Sequence, residues 1–325
     1  MVALPRVGIA SPARAGSNNG NGQTAARWAA HLRTIADVRI FERWQGQPVR
    51  VLVALHARKS AESVATFRRQ VPTGRIVLVM TGTDLYRDLP DDPQALQSIA
   101  LADRIVVLQA RALAALPTEA TAKARVIVQS APARTHRRPP EGLRERVRFI
   151  AIGHLRAVKD PLTLARAARH LAEAPGIVVE HIGEALEPDL AAEFERLTLD
   201  FANFHRLGGL PHDQALAHLE HADALVHTSR MEGGANVVIE AVQCGVPVLA
   251  SAIDGNLGLL GDTYVGTFAV GDDAALARLM RRLADDADFA ATLGRGCDAL
   301  RAGFAPEAEA AAVRELVGEL LAEKR

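Results

Sequence analysis

The stretch from His227 to Ser251, HTSRMEGGANVVIEAVQCGVPVLAS, leaves this chain few folds to choose from. An apolar run from Ala222 to Val226 leads into it, and Glu232-Gly233-Gly234 makes a turn. The pattern predicts a helix from about Asn236, stopped at Cys244-Gly245-Val246-Pro247, because glycine takes a left-handed cap and proline cannot continue a helix. Val248-Leu249-Ala250 then reads as a short buried strand. A helix that starts beside two glycines offers backbone N–H groups to an anion, most often a phosphate. Glu232 and Glu240 would repel that phosphate, so they are read as accepting hydrogen bonds from neutral hydroxyls. Phosphate together with hydroxyls describes a nucleotide sugar. An ordinary βαβ unit with a surface Glu and a capping Glu accounts for the same letters and stands as the alternative.

Elsewhere the chain alternates strands and helices. Val7 to Ala10, Val38 to Phe41, Arg50 to Leu55, Ile76 to Met80, Ala102 to Leu108 and Lys123 to Gln129 read as the strands of a first sheet. Between the first two lies a Gly/Asn-rich loop, Ser11 to Gly22, with a helix expected from Thr24. Such a loop reads either as a second anion cradle or as an ordinary connection. His56, Arg58 and Lys59 follow the third strand, where doubly wound sheets place ligand contacts; a capping His with solvated charges is the competing reading. Residues 131–143, APARTHRRPPEGL, lack periodicity and read as a linker. Val147 to Ile152 then restarts the alternation, which predicts two doubly wound halves with a cleft between them. Gly153 to Pro161, GHLRAVKDP, places Arg156 and Lys159 where both reach one diphosphate, and Asp160-Pro161 opens the next helix.

Ser229, Glu232-Gly233-Gly234, Asn236, Glu240-Ala241 and Cys244 to Val248 resemble the donor-site signature of family 4 glycosyltransferases, the retaining-type GT-B group. The resemblance implies an α/β GT-B chain: two Rossmann-like doubly wound domains facing a central cleft. It implies residues 1–140 as an acceptor-side domain, 141–304 as a nucleotide-sugar domain, and a helix at about 305–325 packing back on the first. Glu232 would contact the transferred sugar and Glu240 the ribose hydroxyls. Amides of Gly233, Gly234, Ala235, Asn236 and Val237 would hold the distal phosphate. Gly153, Arg156 and Lys159 resemble the family's diphosphate clamp, and Leu207, within FHRLGGLPH, falls where the family holds uracil by backbone contacts. Asp254 to Gly261 follows the strand ending at Ser251 and is placed to close over the sugar.

Composition narrows the partners. Lys+Arg and Asp+Glu both number 38, so no net field recruits nucleic acid or a membrane. Aromatics at 4% argue against a base-stacking platform. Two cysteines, Cys244 and Cys297, make no disulfide framework, and no apolar run spans a bilayer; a cytoplasmic enzyme is expected. Five histidines between His205 and His227 invite a metal, yet no carboxylate or thiolate accompanies them at ligand spacing. Asp286-Ala287-Asp288 reads as polar helix surface. No metal and no cofactor are therefore expected, with the UDP-sugar as co-substrate.

The acceptor side carries a narrower resemblance. Ser17 to Trp28 (SNNGNGQTAARW), Ala54 to Ala61 (ALHARKSA), Thr81 to Pro90 (TGTDLYRDLP) and Gln129-Ser130-Ala131 resemble the subgroup that forms a 1-selenosugar from a UDP-sugar and selenophosphate in bacterial selenoneine biosynthesis. Gly22 departs from it where a bulkier residue is expected. The resemblance implies UDP-N-acetylglucosamine or UDP-glucose as donor, with Asn19, Gly20, Asn21, Thr24, Arg58, Lys59, Thr83 and Asp84 around the acceptor. Selenophosphate arrives ionised and needs cationic grip, for which Arg58, Lys59, Arg27 and Arg87 are candidates. His56 would then orient or donate. A hydroxyl of a small metabolite, the alternative acceptor, would need a base, and His56 is the one good candidate. A non-catalytic nucleotide-sugar binder is the third reading, disfavoured by the intact Arg156, Lys159, Glu232 and Glu240.

Overall fold

The structure is a computed structural model that describes residues 4–12, 20–89, 91–137, 146–174, 176–199 and 201–323. It divides into two compact units. The first is Met1–Ser130 with Glu232–Gly234 and Pro306–Arg325; the second is Ala131–Met231 with Ala235–Ala305.

The first unit runs β1 (Arg6–Ala10), α1 (Gly20–Leu32), β2 (Asp37–Phe41), β3 (Val51–Leu55), α2 (Ala61–Gln70), β4 (Arg75–Val79), α3 (Pro93–Leu101), β5 (Arg104–Val107), α4 (Thr118–Thr121) and β6 (Ala124–Val126). Its sheet has the order β2-β1-β3-β4-β5-β6. All registered pairs are parallel. Parallel strands covered on both faces are apolar throughout, and β3, VLVAL, is buried at every position. Its residues alternate between two cores. Leu52 and Ala54 join Phe67 of α2 and Ile99 of α3. Val51, Val53 and Leu55 join Trp28 of α1 and Val313, Leu316, Val317 and Leu320, which lie far along the chain.

The second unit continues β7 (Val147–Ile152), α5 (Pro161–His170), β8 (Ile177–Ile182), α6 (Pro188–Thr198), β9 (Phe204–Gly208), α7 (His212–Glu220), β10 (Ala224–His227), α8 (Asn236–Cys244), β11 (Val248–Ser251), α9 (Asp254–Leu260), β12 (Thr267–Phe268), α10 (Asp273–Asp285) and α11 (Ala287–Asp298). Helix α12 (Pro306–Ala322) then belongs to the first unit. The second sheet is ordered β12-β11-β10-β7-β8-β9. The chain therefore leaves β7 in one direction, to β8 and β9, and returns on its other side at β10. The first sheet reverses in the same way between β1 and β3.

Three local expectations change. Helix α1 starts at Gly20, not Thr24, because the Thr24 hydroxyl donates to the Gly20 carbonyl one turn back (2.8 Å) and draws Gly20 and Asn21 into the helix. Residues 254–260 form a helix whose buried Asn256 donates to the Ser251 carbonyl (2.9 Å). The strand expected over Lys123 to Gln129 is only β6 long. Gly245 ends α8 at φ 74°, the left-handed cap its sequence requires.

Helix α12 is fixed to α1 by a buried carboxylate. Glu309 accepts from Arg27 Nε (2.6 Å), Trp28 Nε1 (2.8 Å), Ser130 N (3.0 Å) and Ser130 Oγ (2.6 Å). Its side chain has no exposed surface. Removing one partner of a buried ion pair costs about 3–5 kcal/mol, because the other groups stay buried without an acceptor. Glu309→Ala is therefore expected to lower the unfolding free energy by an amount of that order, read as a lower denaturation midpoint, with Glu309→Gln falling between the variant and the parent. An unchanged midpoint would mean that the apolar face of α12 holds it alone.

Candidate functional site

In the second unit, the switch between β7 and β10 brings two loops to one edge of the sheet, where doubly wound folds bind ligands. The loop after β7 contains Gly153, Arg156 and Lys159; the loop after β10 leads to α8. The two are bonded directly. Thr228 Oγ1 donates to the Lys159 carbonyl (2.9 Å), and Arg230 N donates to the Val158 carbonyl (2.9 Å). Arg230 Nη2 lies 3.0 Å from Asp160 Oδ2. Asp160, buried and at φ 46°, also accepts from Thr163 Oγ1 (2.9 Å), so it serves both loops at once. Arg156 is exposed and Lys159 half-buried. Helix α8 begins after Ala235, which has no side-chain oxygen to cap the first-turn amides. Glu240, one turn on, lies 3.4 Å from His212 Nε2. Glu232, Gly233 and Gly234 group with the first unit by their contacts.

The floor of this edge is tight. A Cβ on Gly183, at the end of β8, would lie 1.9 Å from the Gly153 carbonyl oxygen, so only glycine lets the two strands close there. A cavity of about 20 Å³ lies among Gly153, Lys159, His181, His227 and Ser229. Burial holds the His181 imidazole down to about 4, against an ordinary 6.5, with Arg206 adding to the effect. In β9, Arg206 registers with His181 and Gly208 with Ile182, which leaves Leu207 as the extra residue of a bulge. Its backbone is thereby released from the ladder at the carboxyl end of the strand.

In the first unit, the carboxyl ends of β3 and β4 hold a second polar group of residues. His56 is buried at φ 70°, a left-handed conformation uncommon outside glycine. Its Nε2 lies 3.0 Å from Thr83 Oγ1. Burial lowers its pKa, and Asp84 opposes this. Residues Asp84–Asp88 form one π-helical turn, closed by Leu89 N donating to the Asp84 carbonyl (3.1 Å). A crevice of about 710 Å³ at the ends of β1, β2 and β3 is lined by Pro12, Phe41, Glu42, Arg43, Gln45 and Lys59.

Several expected acceptor contacts are spent elsewhere. Asp84 is fully buried, and its oxygens accept from the amides of Ala57 (2.8 Å), Thr81 (2.9 Å) and Gly82 (2.8 Å); it builds the turn and is not open to a ligand. Thr24 is buried, and its hydroxyl also accepts from Gln129 Nε2 (2.6 Å). Arg58 lies 3.3 Å from Asp88, Arg87 lies 3.3 Å from the same carboxylate, and Arg27 is held by Glu309. Lys59 is exposed, and among the described residues no carboxylate pairs with it. Gly20 and Asn21 lie in the first turn of α1, whereas Asn19 lies outside the described residues.

The histidines also resolve differently. His218 Nδ1 lies 3.2 Å from Glu180, and His212 meets Glu240, carboxylates that spacing along the chain did not reveal. Among the described residues no group of three or more His, Cys, Asp or Glu could hold a metal ion, and no helix is long and apolar enough to cross a membrane. Asp286 caps α11, accepting from Phe289 N (2.9 Å). The sequence reading of Asp160 as a helix opener misses its bond to Arg230 between the two loops, and it misses Arg230 and His181 altogether; Arg230 carries no sequence signal at all.

Two parallel six-stranded sheets, each reversing at a switch point, define a GT-B protein built from two Rossmann-like domains. The chain belongs to the group 1 glycosyl transferases, whose family model matches residues 134–296. It is 31% identical over 113 residues to glycosyltransferase 1 domain-containing protein 1 of Xenopus tropicalis, covering 34% of this chain and 33% of that one. It is 28% identical over 195 residues to D-inositol 3-phosphate glycosyltransferase of Salinispora arenicola, covering 56% and 43%. The chain thus spans less than half the length of either relative. Among solved structures it is similar to Anabaena HepE in complex with UDP and glucose, with a TM-score of 0.76, 16% identity, and coverage of 97% and 100%.

Two outcomes are expected. Lys159→Ala removes the half-buried cation of this edge and should weaken binding of a diphosphate probe in calorimetry, whereas unchanged affinity would place the anion elsewhere. The second concerns acid stability. Because the folded-state pKa of His181, about 4, lies below its ordinary 6.5, protonation favours unfolding. Its contribution, on the order of 3 kcal/mol, is intact above pH 6.5 and lost as pH falls toward 4. Denaturation of His181→Gln across that window should show a flatter pH dependence than the parent.

Proposed function

We propose that this chain is a glycosyltransferase that joins the sugar of UDP-N-acetylglucosamine or UDP-glucose to selenophosphate, forming a 1-selenosugar for selenoneine biosynthesis. The observation that carries the transferase reading is the bonded pair of loops at the β7–β10 switch. Beside it stand two cations, Arg156 and Lys159, and a helix start without a side-chain cap. A UDP-sugar has the matching chemistry: a diphosphate for the cations and amides, and ribose hydroxyls for Glu240. The bulge at Leu207 frees backbone groups for the uracil. Glu232 faces the transferred sugar in this reading. The binding of UDP and glucose by HepE supports the same class of donor.

In the reaction, the bond from sugar C1 to the β-phosphate oxygen breaks and its electron pair leaves with UDP, neutralised by Arg156, Lys159 and the α8 amides. Selenium forms the new bond to C1. Water then cleaves the phosphorus–selenium bond, oxygen going to phosphorus and a proton to selenium, which releases phosphate and the selenosugar. The nucleophile arrives ionised, so the acceptor side needs positive charge more than a base. The first unit supports this with Lys59 beside the 710 Å³ crevice. Transfer to a hydroxyl of a small metabolite is the competing outcome.

Mass spectrometry of UDP-sugar with selenophosphate tests the reading directly. The selenosugar should form with the parent. Lys59→Ala should raise KM for selenophosphate more than Arg58→Ala does, since Asp88 and Asp92 already neutralise Arg58, and KM for the UDP-sugar should be nearly unchanged. Product only with hydroxyl acceptors would replace selenophosphate by an alcohol.

A further inference from the structure

The hydrogen bonds around His56 determine which way its protons point. The Lys59 backbone N–H donates to His56 Nδ1 (3.3 Å). A backbone amide can only donate, so Nδ1 carries no proton, and the neutral ring must carry its proton on Nε2. A cationic ring would set two N–H groups against each other at Nδ1. The lowered pKa of the buried ring agrees with the neutral form. His56 Nε2 therefore donates to Thr83 Oγ1 across 3.0 Å. Thr83 Oγ1, with one acceptor position filled, keeps its own proton for another partner. Among the described residues no protein acceptor takes that proton, and Thr83 is only partly buried.

Two further features hold this arrangement. His56 sits at φ 70°, a backbone position a non-glycine residue keeps only when its surroundings enforce it. The enforcing group is Asp84, which binds Ala57 N on one side and Thr81 N and Gly82 N on the other, tying the end of β3 to the end of β4. A π-helical turn of the kind common at functional sites begins at the same residue.

We propose that Thr83 is the hydroxyl donor that binds an oxyanion of the acceptor, and that His56 is a positioning residue that fixes the direction of the Thr83 proton and does not act as a base. The ligand class is a small tetrahedral oxyanion of the phosphate type. This rests on the reading of the first unit as the acceptor side, and it adds which atom grips the anion and why His56 has no free basic nitrogen to offer.

The test uses thiophosphate as a binding probe, followed by ³¹P NMR, and selenophosphate in turnover. Thr83→Val, which keeps the shape and loses the hydroxyl, should weaken thiophosphate binding about tenfold and raise KM for selenophosphate similarly, while Thr83→Ser restores both. His56→Gln retains a donor near the Nε2 position but cannot act as a base at neutral pH, and it should keep turnover within about tenfold of the parent, without the acid limb of a general base. Unchanged thiophosphate affinity in Thr83→Val overturns the assignment, even if the parent makes the selenosugar. A loss beyond about 10²-fold in His56→Gln overturns it too, by showing a base. If the parent forms no selenosugar yet binds thiophosphate through Thr83, the selenium reading falls and this one stands.

Discussion

Every strand in each sheet runs the same way, and the rest of the molecule follows from that constraint. Parallel strands cannot be joined by tight turns, so each connection crosses a face as a helix or loop and each strand ends on one common edge. Where strand order reverses, between β1 and β3 and between β7 and β10, neighbouring connections depart to opposite faces and leave a crevice. Loops at such an edge would be loose without ties of their own. Here one buried aspartate supplies the ties in each unit: Asp160 joins Arg230 to Thr163, and Asp84 gathers amides from the ends of β3 and β4.

The same architecture thus frames two different chemistries. The edge of the second unit is a place for charge, with Arg156, Lys159 and a helix start whose N-cap residue, Ala235, makes no side-chain bond. The edge of the first is mostly dipolar: a hydroxyl, an imidazole whose pKa burial lowers, and cations of which most already have carboxylate partners. Counting Arg and Lys along the chain overstates the positive potential there. Arg27, Arg58 and Arg87 each meet an acidic residue in three dimensions, and among the described residues Lys59 is the one of those four that no carboxylate pairs with.

Strand–helix alternation, the αL stop at Gly245 and the helix opening at Asp160-Pro161 were legible because each rests on local backbone geometry. The misreadings share a physical origin in contacts the local pattern does not display. Gly20 and Asn21 look like loop residues until the Thr24 hydroxyl bonds back to the Gly20 carbonyl. Gly255 and Gly258 mask α9, which is anchored by Asn256 on Ser251. Glu180 lies on a strand far in sequence from His218, so no spacing rule could pair them. Asp84 was visible as a polar residue at a strand end, but nothing in its neighbours said that its oxygens face inward.

The placement of α12 has a consequence for synthesis. Val313, Leu316, Val317 and Leu320 complete the apolar layer over β1, β3 and β4, and Glu309 supplies the acceptor that Arg27, Trp28 and Ser130 require. These residues leave the ribosome only after the whole of the second unit has emerged. The first sheet therefore cannot complete its core in the usual vectorial order, amino-terminal domain first, because α12 is made after the second unit. That face of the first sheet, covered by α1 alone until α12 is made, gives the second unit the opportunity to fold before it is complete.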